Sequence, residues 1–396
     1  MRNGWQTGTL GEVCEIVNGG TPKTGVAEYW GDAHLWITPA EMGKRVNPYV
    51  HETERKITDL GLQNSSATIL PPNSVILSSR APIGHLVINT EPMATNQGCK
   101  GLVPGGHLQS KFLYYYLTSI VDFLNSLGTG ATFKELSGSK LKEVQISFPL
   151  PAEQRRIVGI LDKAFDGIAT AKTNAEKNLQ NARALFESHL DAVFSQCGDG
   201  WTSCRLAECL DLITYGFTNP MPTAQTGPYM VTARNVVDGG IDYIGARRTS
   251  QEAFVKLLTD KSRPRAGDVL LTKDGTLGRL AVVERADLCI NQSVALLRPN
   301  DRMDPHFMRH LLSSRTYQHR MVADADGATI KHIYITRVDK MDVAFPPTVI
   351  DQQRIVGKIE EVKTVTRRLE STYQQKLAAL EDLKKSLLHG AFSGRL

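Results

Sequence analysis

The polar side chains that could contact a ligand lie in short loops, and most of these loops occur twice along the chain. The segment 130–134 reads GATFK and the segment 327–331 reads GATIK. The dipeptide at 96–97, Asn-Gln, returns at 291–292. Lysine binds phosphate as a point charge, and the amides of asparagine and glutamine can pair with adenine through two hydrogen bonds. These residue types favour contact with a nucleic acid.

Polar groups that both copies share should serve the scaffold or the DNA backbone, because two surfaces that read different sequences must differ where they read bases. For the Gly-Ala-Thr elements, a phosphate contact and a tight structural turn remain equally open. For the Asn-Gln pairs, the alternative is that the side-chain amides hold a loop in place. The turn 79–84 (SRAPIG) and its partner 273–278 (KDGTLG) each follow an apolar strand, so each should present a basic group at a strand end. The candidates for backbone contact are Arg80, Asn96, Gln97, Thr132, Lys134, Lys273, Arg279, Asn291, Gln292, Thr329 and Lys331.

Loops that differ between the copies are the candidates for reading bases. Residues 38–47 (TPAEMGKRVN) stand opposite 232–238 (TARNVVD), and residues 20–23 stand opposite 216–219. Arginine and asparagine in such loops suit bidentate contact with guanine and adenine, whereas the alternative is a solvated surface. The candidate base readers are Thr21, Lys23, Thr38, Lys44, Arg45, Thr218, Asn219, Thr232, Arg234 and Asn235.

Motifs for other chemistry are missing from these 396 residues. We find no GxxxxGK[ST] phosphate loop, HExxH, GxSxG or EF-hand pattern. The tetrapeptide Asn219-Pro220-Met221-Pro222 only approaches the [DN]PP[YF] signature of a methyltransferase that flips its target base. Ten histidines are scattered, and a lone histidine is more often structural than catalytic. The sequence therefore predicts a non-catalytic chain that binds no metal and no cofactor.

The six cysteines follow no zinc-binding spacing. In the internal alignment, Cys99 faces a valine, Cys209 a valine and Cys289 an alanine. A position that exchanges cysteine for valine or alanine fills apolar space, so we expect buried free thiols and not disulfides or metal ligands.

The bulk composition is that of an ordinary globular protein, with 41% hydrophobic and 22% charged residues and a formal net charge of +5. A length of 396 residues suits two to three domains. The mild positive charge permits a nucleic-acid partner without demonstrating one. The apolar runs are too short for a membrane span, and the first residues lack the apolar core of a signal peptide, so we expect a cytoplasmic protein.

The repeat divides the chain into two similar halves. Equivalent motifs recur at offsets of roughly half the chain, far longer than the ~20–50 residues of a solenoid unit. We predict a target-contacting domain at 1–151, a helical segment at 152–196, a second domain at 197–346 and a second helical segment at 347–396. The fold class is α+β: two tandem similar α/β domains, each followed by a long α-helix, with pseudo-two-fold symmetry.

Each helical segment begins just after prolines and then carries apolar residues at intervals of three and four. About 40 residues of helix would span ~60 Å, longer than one such domain, which favours an antiparallel coiled coil. The alternative is that each helix packs on its own domain. The candidate residues for the coiled coil and for docking a partner are Ile157, Ile160, Ile168, Leu179, Leu190, Ile355, Ile359, Val362, Leu369 and Leu380.

Taken together, these motifs resemble the specificity subunit of a type I restriction–modification enzyme. The resemblance rests on the opening WQTGTLGEVCEIVNGGTP, the SSRAPIG turn, the NQG and GAT elements and the FPLPAEQRRIV helix start, and it covers the whole chain. The second copy departs from it, with YGFT in place of NGGTP and KDGTLG in place of SRAPIG. These departures leave the fold intact but change the groups that the second domain can offer to a ligand.

The resemblance implies that each mixed domain reads one half of a bipartite DNA site. It also implies that the helices set the spacer and dock two methyltransferase subunits, joined by motor–nuclease subunits. S-adenosylmethionine, ATP and magnesium would then act only in those partner subunits. Two alternatives remain: a two-headed protein-binding scaffold without DNA specificity, and the specificity chain of a methylation-only system.

Overall fold

The computed structural model describes residues 4–80, 82–130, 134–196, 198, 200–237, 239–322, 332–393 and 395–396. The chain forms two compact units. The first unit comprises Met1–Ala175 and Gln375–Leu396, and the second comprises Glu176–Gln374. In the described ranges, none of the helices is long and apolar enough to cross a membrane.

Among its described residues, the first unit contains ten strands, seven α-helices and the C-terminal part of the last helix of the chain. The seventh helix continues into the second unit. Its strands are β1 Trp5–Thr9, β2 Cys14–Asn18, β3 Trp30–Ile37, β4 Tyr49–Val50, β5 Arg55–Ile57, β6 Val75–Ser78, β7 Leu86–Asn89, β8 Met93–Thr95, β9 Cys99–Pro104 and β10 Gln145–Pro149. Its helices are α1 Leu10–Val13, α2 Pro39–Met42, α3 Asp59–Gln63, α4 Ser110–Ser119, α5 Val121–Leu127, α6 Gly138–Lys142 and α7 Pro151–Ser195.

The second unit repeats this order. Its strands are β11 Thr202–Arg205, β12 Leu210–Tyr215, β13 Ala224–Val231, β14 Val236–Val237, β15 Gly240–Ile241, β16 Arg247–Arg248, β17 Val269–Thr272, β18 Leu280–Val282, β19 Leu288–Ile290, β20 Val294–Pro299 and β21 Asp342–Phe345. Its helices are α8 Gln251–Leu257, α9 Pro305–Ser313, α10 Arg315–Val322, α11 Ile335–Val338 and α12 Val349–Ser393.

The sheets of the two units have similar topologies, although the main sheet of the first unit has one more strand and the second unit has an additional two-stranded sheet, β14-β15. In the first unit the main sheet runs β2-β9-β6-β7-β4, and in the second it runs β12-β20-β17-β18. A smaller sheet, β5-β3-β8 or β16-β13-β19, has parallel pairing between its last two strands. In each unit a further two-stranded sheet pairs the first strand with the last strand, β1 with β10 and β11 with β21. The duplication in the sequence is therefore a duplication of fold.

In each unit two consecutive helices follow the last strand of the main sheet, separated by a single residue. In the first unit α4 and α5 are separated at Ile120, and in the second α9 and α10 are separated at Ser314. Their apolar residues are buried against the main sheet; Phe112 and Phe307, at equivalent positions, are both fully buried. The central strands are apolar on both faces, as in β6 and β17, because helices cover one face and the smaller sheet the other.

The ends of the long helices contribute to the cores of the globular parts. Ile157 and Leu161 of α7 pack in the core of the first unit together with Leu388 from the end of α12. Leu190 of α7 and Ile359 of α12 pack in the core of the second unit. The alternative in which each helix packs on its own domain therefore holds only for the helix starts, at Ile157, Leu161 and Ile359, whereas Leu190 and Leu388 near the helix ends pack in the core of the other unit.

Between these ends, the two helices run antiparallel to each other within each unit. In the first unit Lys172 Nζ lies 2.7 Å from Glu381 Oε1. In the second, Arg183 Nε lies 3.2 Å from Glu370 Oε2. Exposed pairs of this kind contribute only ~0–1 kcal/mol each, so the apolar seam carries most of the association. The predicted fold class, two similar α/β domains each followed by a long helix, is confirmed.

Candidate nucleic-acid interface

A cleft of about 900 Å³ opens in the second unit where the loops following several strands meet. It brings together the divergent loop at Thr232–Asn235, the turn that begins at Asp274, and Asn291. Arg247 of β16 lines the same cleft. Residues that are far apart in sequence thus form one concave surface with exposed guanidinium groups.

Within the divergent loop, only one of the three predicted readers is directed outward. Asn235 is 7% exposed, and its Oδ1 accepts hydrogen bonds from Thr232 N at 3.0 Å and Thr232 Oγ1 at 2.9 Å. The two residues therefore hold the loop closed, and a base contact through Asn235 Oδ1 would require these bonds to break. Arg234 between them is exposed, and no hydrogen bond or ion pair of its side chain is found among the described residues.

In each Asn-Gln pair, the asparagine is bonded within its own turn and the glutamine is exposed. Asn291 Oδ1 accepts hydrogen bonds from Ser293 N at 3.2 Å and Ser293 Oγ at 2.6 Å, so the asparagine holds its turn. Gln292 is exposed. In the first unit Asn96 Oδ1 accepts from Gly98 N at 2.8 Å, and Gln97 is exposed. The geometry supports the loop-holding alternative for both asparagines and leaves the glutamines available.

Thr21 joins this cluster in the first unit. Its hydroxyl oxygen accepts hydrogen bonds from Asn96 Nδ2 at 3.0 Å and from the backbone nitrogen of Gln97 at 3.4 Å. The nearby Gly19 cannot be replaced without conflict, because a Cβ there would lie 2.0 Å from the carbonyl oxygen of Asn96. Gly216 is equally tight against the carbonyl of Ile290. The glycine loop and the Asn-Gln loop are thus packed directly together in each unit.

The turn at 273–278 does not present the basic group that the sequence predicts. Lys273 is largely buried, with 16% of its side chain exposed, and its Nζ lies 2.9 Å from Asp274 Oδ2. Asp274 also lies 2.5 Å from His332 Nδ1. Burial raises the pKa of Asp274, but the hydrogen bonds from His332 and Lys273 outweigh it, and the pKa is lowered. Lys273 is paired with Asp274, so a contact of Lys273 with the DNA backbone would require this ion pair to rearrange.

In the first unit the equivalent pair has the opposite polarity. Arg80 Nε lies 3.0 Å from Glu135 Oε2, and the two residues form an isolated bridge, as Asp274 and His332 do. In the first unit the residue on the turn is the basic Arg80, whereas in the second unit it is the acidic Asp274. Lys134, next to Glu135, is exposed. Thr132, Thr329 and Lys331 lie outside the described residues.

The predicted readers in segment 38–47 are held by their own domain. Thr38 caps α2, its hydroxyl accepting from Glu41 N at 3.2 Å. Arg45 Nη2 lies 2.7 Å from Glu41 Oε1 and 2.6 Å from the carbonyl oxygen of Glu52. Arg45 therefore closes the loop, and a base contact would require these bonds to break. Lys44 is more open, with 69% of its side chain exposed beside Glu54.

The remaining predicted residues are exposed. Lys23, Thr218 and Asn219 lie on the surface, the last two beside the cleft residue Phe217. Arg279 is exposed, and its Nη1 donates to the carbonyl oxygen of Val236 at 3.3 Å. For these residues, DNA contact stays a prediction.

Sequence reasoning missed two exposed residues beside the cleft, Ile244 and Arg247. Arg247 is exposed, while its neighbour Arg248 is fixed by a 2.9 Å hydrogen bond to the carbonyl oxygen of Gly227. The tandem RR dipeptide was the available signal, but the strand that orients Arg247 is only two residues long. Ile244 is 100% exposed at the tip of the preceding loop.

The predicted coiled-coil residues fall into two groups. Ile157, Leu190 and Ile359 are fully buried in the domain cores, so they cannot be offered to a partner. Ile355 packs against the core of the second unit. The others line the helix pair at intermediate exposure, apart from Leu369, which is 37% exposed: Ile160, Ile168, Leu179, Val362 and Leu380.

Four of the five described cysteines are buried, and Cys204 is half-buried. Burial raises the pKa of Cys14, Cys99, Cys209 and Cys289 to about 12, so these thiols stay protonated. In the part of the chain that the structure describes, no group of three or more His, Cys, Asp or Glu could hold a metal ion.

A family model for the type I restriction modification DNA specificity domain matches residues 2–180 and again 221–379. The chain belongs to this family. The two matches fall one on each half of the duplication, and family membership supports DNA specificity over the protein-binding scaffold. It agrees with the resemblance seen in the sequence.

This chain is similar to individual specificity subunits over long stretches of sequence. That of type I restriction enzyme MjaIX from Methanocaldococcus jannaschii is 26% identical over 99% of this chain and 93% of its own length. That of EcoR124I/EcoR124II from Escherichia coli is 30% identical over 47% of each chain. The fold matches the HsdS subunit from Thermoanaerobacter tengcongensis with a TM-score of 0.65 at 20% identity, covering 100% and 98% of the two chains. A chain from a structure on complex assembly and conformational transition of the type I R-M system gives 0.81 at 20% identity, covering 99% and 98%.

Proposed function

We propose that this specificity subunit reads a bipartite DNA site, with one unit contacting each half-site. The observation that carries the proposal is the cleft of the second unit, where the lining residues Arg234 and Arg247 are exposed. Arginine suits bidentate contact with guanine in the major groove. The first unit has a similar scaffold but a different loop opposite Arg234, the segment 38–47, as two different half-sites require.

The long helices would dock two methyltransferase subunits and set the spacer between the half-sites. Both helices are 45 residues long, and they keep large apolar side chains exposed along their length. Leu185 is 53% exposed, Val365 59% and Leu383 47%. Apolar groups left open on a helix pair are suited to burial against another protein.

In this proposal the chain itself performs no chemistry and holds no cofactor. Methyl transfer with S-adenosylmethionine would belong to the methyltransferase subunits, and ATP- and magnesium-dependent steps to motor–nuclease subunits in the cytoplasm. The support is the lack of phosphate-loop and methyltransferase motifs in the sequence.

Modified-base sequencing of cells that express the chain with its methyltransferase subunit tests the proposal. We expect one asymmetric motif of two defined half-sites separated by a fixed number of unspecified bases. A binding assay at several salt concentrations should then distinguish the bipartite duplex from duplexes in which one half-site is scrambled. Equal binding to all of these duplexes, without any methylated motif, would contradict the proposal and favour a protein-binding scaffold.

Restriction of unmodified phage DNA separates the remaining alternative. A chain that serves a restriction complex should reduce phage plating when the motor–nuclease subunit is present. A chain of a methylation-only system should give the same methylated motif without any loss of plating.

A further inference from the structure

An isoleucine stands fully exposed at the edge of the second unit's cleft. Ile244 is 100% exposed, at the tip of the loop between β15 and β16. Its side chain borders a second recess of about 440 Å³, which it shares with Arg247 and Tyr243. Covering this side chain with a partner would give the stabilisation that burial of apolar surface provides.

The loop holds the backbone of Ile244 in a fixed conformation. Asp242 Oδ1 accepts hydrogen bonds from the backbone nitrogens of Ile244 at 3.1 Å and Gly245 at 3.0 Å. A Cβ at Gly245 would lie 2.4 Å from Asp242 Oδ2, so the turn needs glycine there. Such an Asx turn presents the isoleucine without further ordering on binding.

The turn is also tied to the loop that carries Arg234. The backbone nitrogen of Asp242 donates to the carbonyl oxygen of Asn235 at 2.7 Å. On its other side, Tyr243 packs edge to face on Tyr229, with ring centroids 5.1 Å apart, and Arg285 lies over both rings. Ile244 is thus positioned by the same framework as the exposed guanidinium groups of the cleft.

We propose that Ile244 contacts the C5-methyl group of a thymine in the half-site that the second unit reads. The inference rests on the proposed function. The thymine methyl is the apolar feature of the major groove, and it lies in the same groove as the guanine acceptors that suit Arg234 and Arg247. The contact removes two apolar groups from water and adds specificity for an A·T pair.

The first unit shows a related feature. Val46 is 101% exposed in the divergent segment 38–47, between Arg45 and Asn47. Because Val46 belongs to the other unit, it provides a matched control for a substitution at Ile244.

A uracil scan of the methylated duplex tests the proposal. Each thymine of both half-sites is replaced in turn by deoxyuridine, which lacks the methyl group, and binding is measured with the methyltransferase subunits present. We expect one thymine whose replacement weakens wild-type binding about fourfold, the value of one buried methyl or methylene group. Ile244→Ser should abolish that sensitivity, whereas Ile244→Val and Val46→Ser should retain it.

Three results would overturn the inference while leaving the bipartite motif intact. The first is a half-site of the second unit without an A·T pair, and the second is undiminished uracil sensitivity in Ile244→Ser. The third is that Ile244→Ser loses methyltransferase binding while its base selectivity is unchanged. The last would assign the side chain to a protein contact. Failure of the wild-type chain to give any bipartite motif would instead overturn the proposed function and this inference with it. Thermal unfolding should be unchanged by Ile244→Ser, because the side chain packs against nothing.

Discussion

His310 on α9 and Glu360 on α12 are joined by a hydrogen bond of 2.8 Å between Nε2 and Oε1 in the second unit. The carboxylate also receives Arg309 Nη2 at 2.6 Å. At the equivalent position of the first unit, Asp162 of α7 accepts a hydrogen bond from the hydroxyl of Tyr115 on α4. Each long helix is therefore fastened to its globular part by one acid at the same place in the repeat.

This difference between the two contacts predicts a pH dependence of stability that arises at His310 in the second unit. Burial lowers the pKa of His310, and the neighbouring Arg309 lowers it further. The unfolded state then takes up a proton at higher pH than the folded state, so stability falls as the pH drops below ~6.5. We expect a loss of up to about 1.4 kcal/mol per pH unit below that value, measured by urea unfolding between pH 7.5 and 5.

His310→Gln should remove most of this slope, since glutamine carries no titrating proton. The exposed His306 on the same helix provides the control, and His306→Gln should leave the slope as it is in the wild type. A wild-type slope that persists in His310→Gln would contradict the assignment.

Gln154 and Gln352 hold the two helix starts with the same three hydrogen bonds, which leads to a stability prediction. Gln154 accepts from Gln109 N at 2.8 Å and donates to the carbonyl oxygens of His107 at 2.7 Å and Pro149 at 2.8 Å. Because it is fully buried, Gln154→Ala would leave these backbone groups without partners. We expect a loss of about 2 kcal/mol in the free energy of unfolding.

The neighbouring Arg155 is exposed, so Arg155→Ala should change the free energy of unfolding by less than about 0.5 kcal/mol. Equal effects of the two substitutions, followed by chemical denaturation, would show that the glutamine has no special role. The same comparison holds in the second unit, where Gln352 accepts from Asp304 N at 2.8 Å and donates to Arg302 O at 2.8 Å and Pro346 O at 3.0 Å.

The fold could be predicted because its signals are local and repeated. Prolines before α7 and α12 and apolar spacing along them set the helices, and short apolar runs set strands such as β6 and β17. The site was only partly predictable, because side-chain direction depends on contacts distant in sequence. Arg45 and Arg234 look alike in the sequence, yet Arg45 is held by Glu41 and Glu52 while Arg234 is open.

Arg234→Ala tests base reading in the second unit. If Arg234 makes a bidentate contact with guanine, its loss should relax one position of one half-site and cost roughly 1–3 kcal/mol there. Modified-base sequencing and binding to single-base variants of the duplex measure both effects. Lys256→Ala, an exposed change on α8 away from the cleft, should retain the motif. Uniform weakening across all sequences would make Arg234 a phosphate contact instead.

Lys134→Ala tests phosphate contact in the first unit. The lysine is exposed beside the Arg80–Glu135 pair, so its removal should weaken binding to all duplexes alike. The slope of log affinity against log salt should become shallower by about 0.9, the value for one phosphate. Lys163→Ala, at an exposed position on α7, serves as the control. An unchanged slope in Lys134→Ala would exclude the contact.

Shortening both long helices tests whether they set the spacer. Removing seven residues from each, within 172–183 and 370–381, deletes ~10 Å of helix and keeps the apolar faces aligned to within ~20°. If the helices act as a ruler, modified-base sequencing should show the same two half-sites with about three fewer bases between them, at 3.4 Å per base pair. A deletion in one helix alone should disturb the antiparallel pairing shown by Lys172 with Glu381 and by Arg183 with Glu370, and it should abolish the motif. An unchanged spacer after the paired deletion would refute the ruler function.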